Sequence, residues 1–155
     1  MNLTRRLFVK GSMLAVTAIM TGITGLLKPL SAFAARNNEA FSARSEADAL
    51  AAFFPGQQIE PTDKIEIGVH DVVENGAVVP LNITTTLPEA AAITILAEKN
   101  PNPLIASFNL SPECSGFVAT RIKVAEPSNI IAVVKSQDKL FSARKFVEVI
   151  AGGCG

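Results

Sequence analysis

The chain is predicted to be all-β: an immunoglobulin-like antiparallel β-sandwich of about seven strands with a short helix before them. Three observations carry this. Runs rich in Val, Ile, Leu and Phe recur at intervals of about 10–14 residues. Turn-forming clusters separate them, at Pro88, Asn100-Pro101-Asn102-Pro103, Ser115-Gly116, Glu126-Pro127-Ser128-Asn129 and Gln137-Asp138. The first run alternates, with Ile65, Ile67 and Val69 set against Glu66, Gly68 and His70, the period of a half-buried strand. Trp and Tyr are absent, so the buried Trp of many such sandwiches is missing here.

In chain order, residues 35–42 are polar and expected to be loose. A short helix is expected over Ser45–Phe54, with Ser45 as N-cap, Glu46 and Asp48 in the first turn, and Pro55-Gly56 as the stop. Leu50, Phe53 and Phe54 fall at helical spacing, so that face should pack on the domain or on a partner. Strands are then expected at 64–70, 78–84, 92–97, 104–110, 117–124, 130–135 and 140–150. Asn75-Gly76 is a turn signal. Pro80 lacks an amide donor and points to an edge or a bulge. Arg121, Lys123, Arg144 and Lys145 read as solvated strand positions. The domain is thus read as 35–150, with 151–155 as a separate tail.

Residues 1–34 read as an address. Thr4-Arg5-Arg6-Leu7-Phe8-Val9-Lys10 is a twin-arginine pattern. A moderately apolar stretch from Gly11 to Leu27 follows, diluted by Gly and Thr, then Lys28, Pro29 and the small-residue site Ala32-Phe33-Ala34. Cleavage is expected after Ala34. This order of motif, apolar stretch and cleavage site predicts a bacterial protein exported already folded to the periplasm. A retained membrane anchor fits poorly, because Gly, Thr and Pro29 interrupt the stretch.

The whole chain has 14 basic and 14 acidic residues. Four of the basic ones, Arg5, Arg6, Lys10 and Lys28, lie in the address and no acidic residue does, so the remainder carries a net charge of −4. No basic run or basic–aromatic interleaving points to nucleic acid. No apolar run after residue 34 is long enough to span a membrane. His70 is the sole histidine, with no partner at ligand spacing, so no metal signature is present. There is no Gly-x-Ser-x-Gly and no glycine-rich loop between a strand and a helix. No cofactor is expected.

Two cysteines remain, Cys114 and Cys154. Cys114 sits in Ser111-Pro112-Glu113-Cys114-Ser115-Gly116, a turn between two strand-like runs. It should be accessible, and an accessible thiol in an oxidising compartment favours an inter-chain disulfide over a bond that would close the tail. Cys154 lies in Ala151-Gly152-Gly153-Cys154-Gly155. Glycines sample φ of either sign, and five extended residues reach roughly 17 Å. Gly152, Gly153 and Gly155 therefore make an arm, and Cys154 is a reactive atom at its end. An ordinary thiol is only a few per cent thiolate at neutral pH, and no local base stands beside this one. The chain is equipped to be worked on by other proteins rather than to catalyse. A thiol redox protein using Cys154, and a structural sandwich with an incidental tail cysteine, are the other readings.

The tail, behind a twin-arginine pattern and a small sandwich, resembles the SoxY family, the sulfur carriers of bacterial thiosulfate oxidation. Glu74-Asn75-Gly76-Ala77-Val78-Val79-Pro80 resembles that family's early hairpin. Asn102-Pro103-Leu104-Ile105-Ala106-Ser107-Phe108 and Thr120-Arg121-Ile122-Lys123-Val124 are similar to later family segments. The resemblance implies a heterodimer with a SoxZ-like subunit that lacks a signal of its own. It implies covalent attachment of thiosulfate to Cys154 by a c-type cytochrome enzyme, then release of sulfate by a hydrolase. In some organisms a molybdenum and haem sulfane dehydrogenase acts next. The family tail commonly carries two glycines after the cysteine, where this one has Gly155 alone, and Cys114 is not part of the family motif.

Overall fold

The computed structural model describes residues 37–151. The address at 1–34, Gly152, Gly153, Cys154 and Gly155 lie outside the described residues. Within them the chain is a two-sheet β-sandwich with two short helices, α1 (Asn38–Ser42) and α2 (Glu46–Phe53). Nine strands follow where about seven are expected: β1 (Ile59–Pro61), β2 (Ile65–Gly68), β3 (Val72–Asn75), β4 (Val79–Thr85), β5 (Ala90–Ala97), β6 (Leu104–Asn109), β7 (Phe117–Ile122), β8 (Ser128–Ser136) and β9 (Lys139–Ala151).

The larger sheet has the order β1-β9-β8-β5-β6, with β3 also on β9, and the smaller has the order β2-β4-β7. The two unexpected strands, β1 and β3, are short and run parallel to β9, along the edge that β8 leaves free. Neither has the length or alternation that marks a strand in sequence; β9 supplies the template for both. They cover the edge of a 13-residue strand, an edge that would otherwise invite pairing with another chain.

Asn75-Gly76 does not close a hairpin. It carries the chain from β3 in the larger sheet to β4 in the smaller one. Pro80 lies in the central strand of the smaller sheet, but beyond the last pair with β2, Gly68 with Asn82. There β4 pairs with β7 alone, Pro80 standing opposite Arg121, so the missing amide interrupts no ladder on the β2 side.

The core lies between the sheets. Leu81, Ile83, Ile93, Ile95, Ile130, Val134 and Val147 are fully or almost fully buried there, each large aliphatic side chain contributing about 2 kcal/mol. A second cluster covers the outer face of the larger sheet. Leu96, Leu104, Ile131, Val133 and Leu140 are buried beneath Leu50, Phe53 and Phe54 of the helical segment. That apolar helix face therefore packs on its own domain.

Residues 38–42 are helical rather than loose. Asn37 caps α1 by accepting from the Ala40 amide at 3.1 Å, and its side-chain amide donates to the Ala52 carbonyl at 2.8 Å. Ser45 caps α2 as expected, accepting from the Asp48 amide at 3.1 Å. Arg144 and Lys145 are more than solvated positions. Arg144 makes a two-pronged ion pair with Glu46 of α2, which also holds its guanidinium above the ordinary arginine pKa.

Candidate functional site

The tail leaves the domain from the end of β9, and that end is firmly held. Val72, Val73 and Asn75 of β3 stand in register with Glu148, Val149 and Ala151. The Gly76 amide donates to the Ala151 carbonyl at 2.8 Å, and the Gly76 carbonyl accepts from the Val124 amide at 2.8 Å. The Asn75 side chain accepts from the Ala77 amide at 2.9 Å, a local bond that shapes the turn. Lys145 donates to the Val69 carbonyl at 2.7 Å and pairs with Asp71 at 3.0 Å. The Glu148 amide donates to the Asp71 carbonyl at 2.8 Å. Ala151 is therefore the last residue of a strand and not part of the tail.

Covalent geometry alone keeps the Cα of Cys154 within about 10 Å of that of Ala151. The outer face of β9 and β3 that leads up to this end is apolar and acidic. Strand alternation puts Phe146, Glu148 and Ile150 on one face of β9 and Val72 and Glu74 on the same face of β3. Val72 is 56% exposed, Phe146 54% and Ile150 71%. These residues lie on the helix-bearing face of the larger sheet, where Leu140 at the other end of β9 is covered.

Cys114 lies at the opposite end of the sandwich. It is an exposed free thiol in the turn between β6 and β7, with its amide donating to the Ser111 carbonyl at 2.9 Å and its sulfur 3.6 Å from the Ser111 hydroxyl. That hydroxyl donates to the Glu113 carboxylate at 2.7 Å, which lowers the carboxyl's pKa. Asn109, Ala92, Lys135 and Leu140 form one row across the larger sheet. The Cys114 turn thus sits near the Leu140 end of β9 and the tail leaves at the Ala151 end, roughly 35 Å further along the strand. A three-residue reach of about 10 Å leaves a bond between the two cysteines of one chain out of range.

His70 is exposed just past β2, and Arg121 and Lys123 are exposed. Sequence reasoning missed the apolar patch, because Phe146 and Ile150 sit in a run with Val147 and Val149 that is apolar on both faces; only the register with β3 and β8 shows which face is inward.

The larger sheet, the smaller sheet and the strand that leads to the tail have known counterparts. The model of the family "Sulfur oxidation protein SoxY" matches residues 50–154, a segment that includes Cys154. The solved sulfur carrier protein SoxY from Chlorobium limicola f thiosulfatophilum is 36% identical, with a TM-score of 0.64, covering 71% of this chain and 96% of its own. A superoxide reductase (neelaredoxin) from Ignicoccus hospitalis superposes with a TM-score of 0.51 at 16% identity, covering 59% of this chain and 94% of its own; at that identity it shows a shared sandwich fold alone. No curated protein gives a significant match. With the family match running over two thirds of its length, from α2 to Cys154, the chain belongs to the SoxY family of sulfur oxidation proteins.

Proposed function

We propose that this chain is a periplasmic sulfur carrier that holds thiosulfate-derived intermediates on Cys154 while partner enzymes act on them. The observation that carries the reading is the position of Cys154, three residues beyond the end of β9 and inside the segment that matches the family. The solved relative's description as a sulfur carrier supports it.

In the first step the Cys154 thiolate and the sulfane sulfur of thiosulfate form an S–S bond. Two electrons leave, accepted by oxidised c-type haem of the conjugating enzyme, and the product is a cysteine S-thiosulfonate. In the second, a hydrolase adds water across the bond to the terminal sulfone. Sulfate and protons depart, and a persulfide remains on Cys154. The carrier supplies the nucleophilic sulfur, and Gly152, Gly153 and Gly155 supply backbone without side chains that would block a narrow cleft. Export by the twin-arginine route, with a SoxZ-like subunit already bound, accounts for Arg5-Arg6 on a chain that needs no cofactor.

Intact-mass measurement after incubation with thiosulfate and the cytochrome enzyme tests the reading. Wild type and Cys114→Ser gain one thiosulfate; Cys154→Ser gains none. A mass gain that persists in Cys154→Ser sinks the proposal.

A further inference from the structure

We infer that the patch formed by Val72, Phe146 and Ile150, with Glu148 and Glu74 among them, is the docking surface for the enzymes that act on the tail, and that those enzymes meet it with an apolar rim bearing Lys or Arg. The inference rests on the carrier reading above and adds where the enzymes bind and by what chemistry.

The first argument is reach. A sulfur whose Cα lies within about 10 Å of Ala151 cannot enter an active site unless the mouth of that site comes down on the surface around the end of β9. Phe146 and Ile150 span roughly 13 Å along that strand, and Val72 stands beside Glu148 in register. An enzyme that takes in the tail therefore comes down at the Ile150 end of this patch and not at the Cys114 turn.

The second argument is composition. Three large apolar side chains, each more than half exposed, share one sheet face where solvated positions are ordinarily polar. The helical segment covers the same face around Leu140, Ile131 and Val133 and leaves this end open. Aromatic and aliphatic anchors of this kind are what interface centres use.

The third is charge. Glu148 lies between Phe146 and Ile150, and Glu74 follows Val72 on the same face. The nearby cation, Lys145, is taken up by Asp71 and the Val69 carbonyl, and Arg144 by Glu46. The patch is left acidic, which selects basic partners and speeds their encounter.

The test uses the full chain with any subunit that co-purifies. Conversion of Cys154 to the S-thiosulfonate by the cytochrome enzyme and thiosulfate is followed by intact mass at limiting carrier. All proteins carry Cys114→Ser, since Cys114 is itself an exposed thiol, so an aromatic disulfide reagent reports the reactivity of Cys154 alone without docking. Phe146→Ser combined with Ile150→Ser, and separately Glu148→Lys, should each slow enzymatic conversion by about tenfold or more, with the reagent rate unchanged. All these side chains are exposed, so the fold should hold, and a thermal melt checks it. Wild type converted, but both variants converted within about threefold of its rate, overturns the docking surface and leaves the carrier reading intact. Wild type left unconverted removes the carrier reading itself. If the variants instead dissolve a homodimer or release a permanent subunit while the rate per remaining carrier is unchanged, the patch belongs to that contact and the inference fails.

Discussion

Gly76 donates its amide to the carbonyl of Ala151 at 2.8 Å while its own carbonyl accepts from Val124. One residue thereby joins the end of β9 in the larger sheet to the segment that follows β7 in the smaller one. The tail starts from this clamp, so its root at Ala151 is fixed. The clamp depends on the turn at Asn75, whose side chain accepts from the Ala77 amide at 2.9 Å. Asn75→Ala removes that bond, worth about 1 kcal/mol. Amide hydrogen exchange at Gly76 should speed up by about fivefold, with amides in the centre of β8 unaffected. Equal protection in the variant would mean the ladder with β3 holds the clamp without the turn.

Gly116 sits at φ +65, and a Cβ there would come within 3.0 Å of both the carbonyl oxygen and the methyl of Thr85. The contact is a close one because the Thr85 amide donates to the Gly116 carbonyl at 2.9 Å. Gly116→Ala meets backbone and a left-handed φ together, and should cost about 1–3 kcal/mol in urea unfolding. The Cys114 turn lies immediately before it, so alkylation of Cys114 should change rate in the same variant. Unchanged stability would show that the turn can shift at little cost.

Ser128 is buried at the start of β8 with its hydroxyl unpaired among the described residues. Its register partner is Val147. An unsatisfied buried hydroxyl costs about 1–3 kcal/mol, and removing it leaves only a small change in volume. Ser128→Ala should therefore leave stability unchanged or raise it by up to about 1 kcal/mol. A loss of more than about 1 kcal/mol would reveal a partner for the hydroxyl.

Among the seven expected strands, β2, β4 and β7 were legible because alternation survives in the residues themselves, and β5 and β8, buried on both faces, as continuous apolar runs bounded by turn signals. Ile65 and Ile67 point inward and Glu66 outward, and β4 alternates without a break from Val79 to Thr85. Helix α2 was legible through Ser45 and Pro55. The strands β1 and β3 were not, since Ile59-Glu60-Pro61 and Val72–Asn75 are strands only because β9 runs beside them. α1 was missed for a related reason: five residues are too few to show a helical period, and Ala40 and Asn37 are held by contacts with α2. At the site, the order of Gly152, Gly153 and Cys154 is local and could be read directly. The patch beside it could not, because Phe146 and Ile150 owe their exposure to where the helices stop.

Arg144 and Glu46 join β9 to the first turn of α2 through two parallel hydrogen bonds, one of 3.0 Å from Nη1 to Oε2 and its companion from Nη2 to Oε1. Arg144 is half exposed, with a side-chain accessibility of 50% against 17% for Glu46, so solvent and salt screen the pair. Its coupling energy in a double-mutant cycle should be about 0.5–1 kcal/mol. The helix adds a little, since Glu46 also lies where the N-terminal dipole favours a negative charge. Arg144→Lys should recover less than half of the coupling, because a single ammonium cannot reproduce the planar two-pronged contact. Raising the salt to about 1 M shortens the screening length to about 3 Å and should shrink the coupling. Strictly additive single and double variants at low salt would mean that the apolar contacts of Leu50, Phe53 and Phe54 hold the helix in place, and that the ion pair adds nothing to its seat on the sheet.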